Sequence, residues 1–126
     1  MAKQFAQIIK DVDAYAVKLR ELIPDSLGAF SALSRAGCLT PGALGRKTKE
    51  LIALAIAVSG RCDACIAYHA RGAARAGATR QEFAETLAVA IQMGGGPSVN
   101  YATDALRAFD EFSAESAPAA IGAVGG

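Results

Sequence analysis

Apolar residues at Phe5, Ile8, Ile9, Val12, Tyr15, Ala16, Leu19 and Leu22 recur at steps of three and four, with Lys3, Lys10, Asp11, Lys18 and Arg20 on the other face. This is the period of an amphipathic helix, and Pro24 ends it. A second helix carries Leu27, Phe30, Leu33 and Ala36, with Asp25 or Ser26 as its cap and a stop near Gly37. Thr40-Pro41-Gly42 reads as a turn, Ala43 to Arg46 as a loop, and a third helix is expected from near Lys47. Its apolar residues are almost continuous from Leu51 to Val58. Most of its circumference should therefore be covered, at the centre of the fold or in a subunit interface. After a break at Ser59-Gly60-Arg61, a fourth helix opens near Cys62 and stops at Gly77. Thr79 and Glu82 form a capping box for a fifth helix with Phe83, Leu87, Ala90 and Ile91 on its apolar stripe. Gly94-Gly95-Gly96 ends it, and Pro97 suits the first turn of a last helix through Val99, Tyr101, Ala105, Leu106, Phe109 and Phe112.

No segment alternates with the period of a strand. The expected fold is all-α, a compact bundle of about six helices in one domain over residues 1–115, with residues 116–126 a flexible tail lacking apolar period. The chain's 126 residues suffice for one core, and 52% apolar residues with only 6% aromatic and no Trp require that core to be built from Ala, Leu, Ile and Val. Small side chains let helices approach closely.

Net charge is +1 and the 13 Lys and Arg form no long run, so a nucleic-acid partner is not expected. The longest apolar run, Leu51 to Val58, is far shorter than the roughly 20 residues of a membrane span. Lys10, Asp11 and Asp13 stand where a signal peptide would be apolar. A soluble, cytoplasmic protein without a membrane partner is the expectation. Three cysteines, two of them close together, then point to redox chemistry or metal binding rather than to a disulfide scaffold.

The candidate chemistry lies in ELIALAIAVSGRCDACIAYH, Glu50 to His69, which holds the only histidine and every cysteine but Cys38. Cys62 and Cys65 at a helix start can close a small disulfide, and the helix dipole lowers a thiol pKa there. Cys65 and His69 are four apart on one helix, about 5 to 6 Å between Cβ atoms, so the imidazole can take the thiol proton directly or through water. Glu50 lies about as far before the break as His69 lies after it, and an antiparallel hairpin would bring them to similar heights. Glu50 could then orient His69 and stabilise its charged form, the nucleophile, base and orienting-acid logic of covalent catalysis. Cys38, alone beside a helix end, reads as a small packed side chain, and Tyr68 as packing. Zinc is the rival occupant. Cys62, Cys65, His69 and Glu50 could furnish four ligands, but a closed site usually draws a second Cys or His pair from elsewhere, and the sequence has none. No metal or bound cofactor is expected.

The spacing Glu, eleven residues, Cys, two residues, Cys, three residues, His is matched by Glu50, Cys62, Cys65 and His69. In it the chain resembles the alkylhydroperoxidase D-like branch of the carboxymuconolactone decarboxylase family. The likeness extends over PGALGRKTKELIALAIAVSGRCDACIAYHARGAARAGATRQEFAETLAVAIQMGGGPSVNYATDAL, Pro41 to Leu106. It implies an all-helical fold assembling as a homo-oligomer, a trimer or hexamer, and an enzyme of thiol peroxidase or disulfide reductase type. By the same resemblance Glu50 acts through His69 on Cys65, Cys65 attacks a hydroperoxide, and Cys62 resolves the sulfenic acid to a disulfide. A dithiol reductant protein, lipoyl-like, would restore both thiols. The dipole favours Cys62 as the attacking thiol and His69 favours Cys65; the proton relay is the more local effect. Ala64 departs from members that carry a second His between the two cysteines. The alternatives are a decarboxylase acting on a lactone acid, against which Cys62 and Cys65 argue, and a non-catalytic zinc-binding or redox-sensing oligomer.

Overall fold

The structure is a computed structural model that describes residues 2–116. Six α-helices follow one another: α1 (Phe5–Leu22), α2 (Pro24–Ser34), α3 (Arg46–Ser59), α4 (Asp63–Arg75), α5 (Arg80–Gly94) and α6 (Gly96–Ser116). α2 runs directly into a single π-helical turn, Arg35–Leu39. No strand occurs among the described residues, as the helical periods require. The expected flexible tail, residues 117–126 of it, lies outside the described residues.

α4 is the central element, packed on α3, α6 and α1. It buries Ile66, Ala67, Ala70 and Ala73, a three-and-four spacing that turns one stripe to the core. Alanine supplies much of that core, with Ala57, Ala90, Ala102, Ala105 and Ala108 also buried, so the helix backbones approach one another closely. Larger side chains fill the ends: Phe83 of α5 meets Phe109 of α6 with ring centroids 4.4 Å apart, and Phe5 of α1 is fully buried. α1 has no cap from its own preceding residue; instead the Glu111 carboxylate of α6 accepts from the backbone N–H of Phe5 at 3.1 Å and of Ala6 at 2.8 Å. An anion there satisfies orphan donors and complements the helix dipole. The capping box at α5 is formed as expected, Thr79 and Glu82 each accepting from the other's backbone.

The α3–α4 connection is three residues. Gly60 N–H reaches Ile56 O at 2.7 Å and Cys62 N–H reaches Ala57 O at 3.2 Å, and Arg61 takes the left-handed conformation at φ 55°. This tight closure folds α4 back along α3.

The structure corrects one expectation. Neither Asp25 nor Ser26 caps α2: Pro24 occupies its first turn and no side chain caps it. Nor does α2 bury its apolar residues; Phe30 is 68% exposed and Leu33 is exposed too, because α2 packs appreciably only on α1 and the π-turn. α3 likewise is covered on only part of its circumference. Leu54, Ala57 and Val58 are buried, but Ile52 and Ile56 are exposed, so the apolar run forms one core face and one open flank.

Candidate active site

Glu50 enters the core one turn into α3, where only 3% of it stays accessible. An isolated carboxylate there would be strongly disfavoured. Its partners resolve the cost: Oε1 lies 2.7 Å from Nδ1 of His69, and Oε2 lies 3.8 Å from Nε of Arg46, one turn earlier on α3. Burial pushes the Glu50 pKa up, but His69, then Cys38 and Arg46, outweigh it and hold the carboxyl below its ordinary value. The carboxylate can only accept, so His69 donates from Nδ1. That fixes the tautomer in which Nε2 of His69 is the free base.

Room for the carboxylate is made by α4. A Cβ built on Gly72 would fall 2.6 Å from Oε1 of Glu50 and closer still to the rest of the group. Glycine at 72 is therefore what allows α4 to carry His69 against Glu50.

Cys62 is the N-cap of α4. Its sulfur accepts from the backbone N–H of Cys65 at 3.2 Å and so sits at the positive end of the helix. Cys62 and Cys65 are joined as a disulfide, with Cα atoms 5.2 Å apart, inside the range that such a bond spans. Cys65, Glu50 and His69 all line a cleft of about 660 Å³ between α1, α2, the π-turn, α3 and α4; Cys62 does not. The four residues singled out from the sequence are thus gathered by one hairpin, with the Glu50–His69 pair and the sulfur bridge both formed.

Cys38 is the residue that the sequence reading missed. The π-turn brings it beside Glu50 and His69, and one donor atom from each of the three lies within 4.8 Å of the others. Burial first, then the Glu50 carboxylate that its S–H faces, pushes the Cys38 thiol up to about 11. Cys38 is therefore a protonated donor at neutral pH rather than a nucleophile. No local signal marks it, since the contact is made by tertiary packing of a π-turn on α3. Among the described residues and with the Cys62–Cys65 bridge closed, this trio is the set whose donor atoms come together as metal ligands could. Tyr68 lines the cleft and donates its hydroxyl to Asp13 of α1; burial and that carboxylate push it up to about 12, so it remains a neutral tether between α4 and α1.

The model of the Carboxymuconolactone decarboxylase family matches residues 24–108, which take in every residue of the hairpin and all of the cleft lining except Ala16. An uncharacterized protein of Cupriavidus necator is 44% identical over 91 residues, covering 72% of this chain and 80% of that protein. The uncharacterized protein 4 in the cox locus of Paracoccus denitrificans is 42% identical over 83 residues, covering 66% of this chain and 74% of that protein. Among solved structures, the crystal structure of apo-lpg0406, a carboxymuconolactone decarboxylase family protein from Legionella pneumophila, superposes with a TM-score of 0.83. It is 47% identical and covers 86% of this chain and 96% of that one. With a family match over most of its length and a helical bundle shared with a family member of 47% identity, the chain belongs to the carboxymuconolactone decarboxylase family.

Proposed function

We propose that the protein is a thiol-dependent peroxidase and disulfide reductase whose working groups are Cys65, Cys62, His69 and Glu50. The observation that carries this reading is the 2.7 Å Glu50–His69 contact on the same cleft as Cys65, one helical turn from the imidazole. In the reduced form, Nε2 of His69 takes the Cys65 thiol proton while Glu50 stabilises the imidazolium. The Cys65 sulfur attacks the terminal oxygen of a hydroperoxide; the O–O bond breaks, and the leaving alkoxide takes the proton from His69 and departs as an alcohol. Cys65 is left as a sulfenic acid. The Cys62 sulfur, held at the helix N-terminus, then attacks Cys65 and expels water, forming the disulfide. A lipoyl-like dithiol returns two electrons and two protons, and a reducing compartment such as the cytoplasm suits that cycle.

The test is hydroperoxide consumption driven by dihydrolipoamide. Wild-type protein should turn over, Cys65→Ser should be inactive, and His69→Gln should lose about 10²- to 10⁴-fold, the usual worth of a positioned base. Equal activity in a Cys62→Ser, Cys65→Ser double variant would reject the reading and reopen decarboxylation of a lactone acid.

The trio Cys38, Glu50 and His69 supports a second reading, a zinc-binding protein, because it offers one sulfur, one oxygen and one nitrogen donor within 4.8 Å. Metal analysis separates the two: one zinc per chain, lost in Cys38→Ser, belongs to the second.

A further inference from the structure

We infer that the hydroperoxide this site takes is an amphipathic one carrying a carboxylate, such as a fatty-acid hydroperoxide, with the carboxylate held by Arg71 and Arg75. The inference rests on the peroxidase reading above and specifies its substrate class.

The chain is almost neutral, yet Arg35, Arg46, Arg71 and Arg75 all line the cleft that holds Cys65 and His69. Of these, only Arg46 has a carboxylate within ion-pair distance among the described residues, and it is the Glu50 already engaged by His69. Arg71 lies over the Tyr68 ring, 5.6 Å from its centroid, which leaves its guanidinium edge for another acceptor. Unpaired guanidinium groups converging on one cleft raise the local concentration of anions and match a carboxylate geometrically.

Spacing along α4 adds the second dimension. Ala64, Tyr68, Arg71 and Arg75 recur at steps of three and four, so they share the face of α4 that meets the cleft. Arg71 stands six residues and Arg75 ten residues beyond Cys65, about 9 and about 15 Å further along the helix at its usual rise. The same cleft is lined by the apolar side chains of Ala16, Phe30 and Leu39. The cleft thus brings together a thiol, apolar side chains and two guanidinium groups without carboxylate partners, the complement of a hydroperoxide joined to a carboxylate by a hydrocarbon chain. A small neutral peroxide uses only the first of these.

The test compares linoleic acid hydroperoxide with its methyl ester, both with dihydrolipoamide as reductant, and reads the ratio of the two kcat/KM values. Wild-type protein should favour the acid by about tenfold or more, the worth of a charged hydrogen bond. In an Arg71→Gln, Arg75→Gln variant the ratio should fall close to one. Equal rates for acid and ester in the wild type, or slowing of both by the same factor in the variant, would overturn the inference and leave the peroxidase reading standing. No turnover of either substrate, or of cumene hydroperoxide, by the wild type would instead reject the peroxidase reading, and this inference with it.

Discussion

At the scale of the residue, Glu50 is the position on which the site's electrostatics turn. Its folded-state pKa lies below its ordinary value of 4.5. It therefore adds stability that is complete above that value and is lost as pH falls through the lower folded-state value. The Glu50→Gln variant keeps the shape and gives up the charge. Its stability, followed by urea denaturation from neutral pH down to about pH 3, should fall less steeply with acid than that of the wild type. Parallel curves would mean that the carboxylate is not the charged partner of His69. Of this site, Glu50, Cys62, Cys65 and His69 were legible because their spacing across one hairpin is fixed by local helix geometry. Cys38 was not. Its neighbours are on α3 and α4, and nothing adjacent in the chain distinguishes a cysteine in a π-turn facing a carboxylate from one filling a gap.

At the scale of the element, the α3–α4 hairpin depends on a close approach that a single methyl would prevent. Gly72 lies in the last turn of α4, and inside a helix alanine would ordinarily be more stable than glycine by up to about 1 kcal/mol. Here the added Cβ collides with the Glu50 carboxylate, and overpacking of this kind costs about 1 to 3 kcal/mol. Gly72→Ala should thus destabilise the protein on urea denaturation, against its helix propensity. A stabilised variant would show that α4 has freedom to move away from α3. The helices themselves were readable from period, Pro24, the Thr79–Glu82 box and the glycines after α5. The open face of α2 has a physical source: the spacing of apolar residues marks a face that avoids water without saying whether the chain itself supplies the cover. Phe30 and Leu33 show that, within one chain, it does not.

At the scale of the whole molecule, Phe30 and Leu33 on α2, Ile52 and Ile56 on α3, and Leu22 at the end of α1 leave apolar side chains facing outward. A second cavity, of about 390 Å³, opens on Cys38 and His69 among Leu44, Ile52 and Ile56, so part of this open surface borders the site. Exposed apolar surface of this kind is characteristic of association surfaces. We expect a homo-oligomer, a trimer or hexamer, by light scattering, and an Ile56→Asp variant should shift it toward monomer; a monomeric wild type would remove this reading. No described helix is long and apolar enough to cross a membrane.

In the proposed cycle His69, held by Glu50, makes Cys65 the attacking thiol and leaves Cys62 to resolve it. The most direct measurement traps the sulfenic acid with dimedone after one equivalent of hydroperoxide and locates the adduct by mass spectrometry in Cys62→Ser and Cys65→Ser proteins. An adduct is expected on Cys65 in Cys62→Ser and none on Cys62 in Cys65→Ser. An adduct on Cys62 in Cys65→Ser, with Cys65 unmodified in Cys62→Ser, would contradict this cycle.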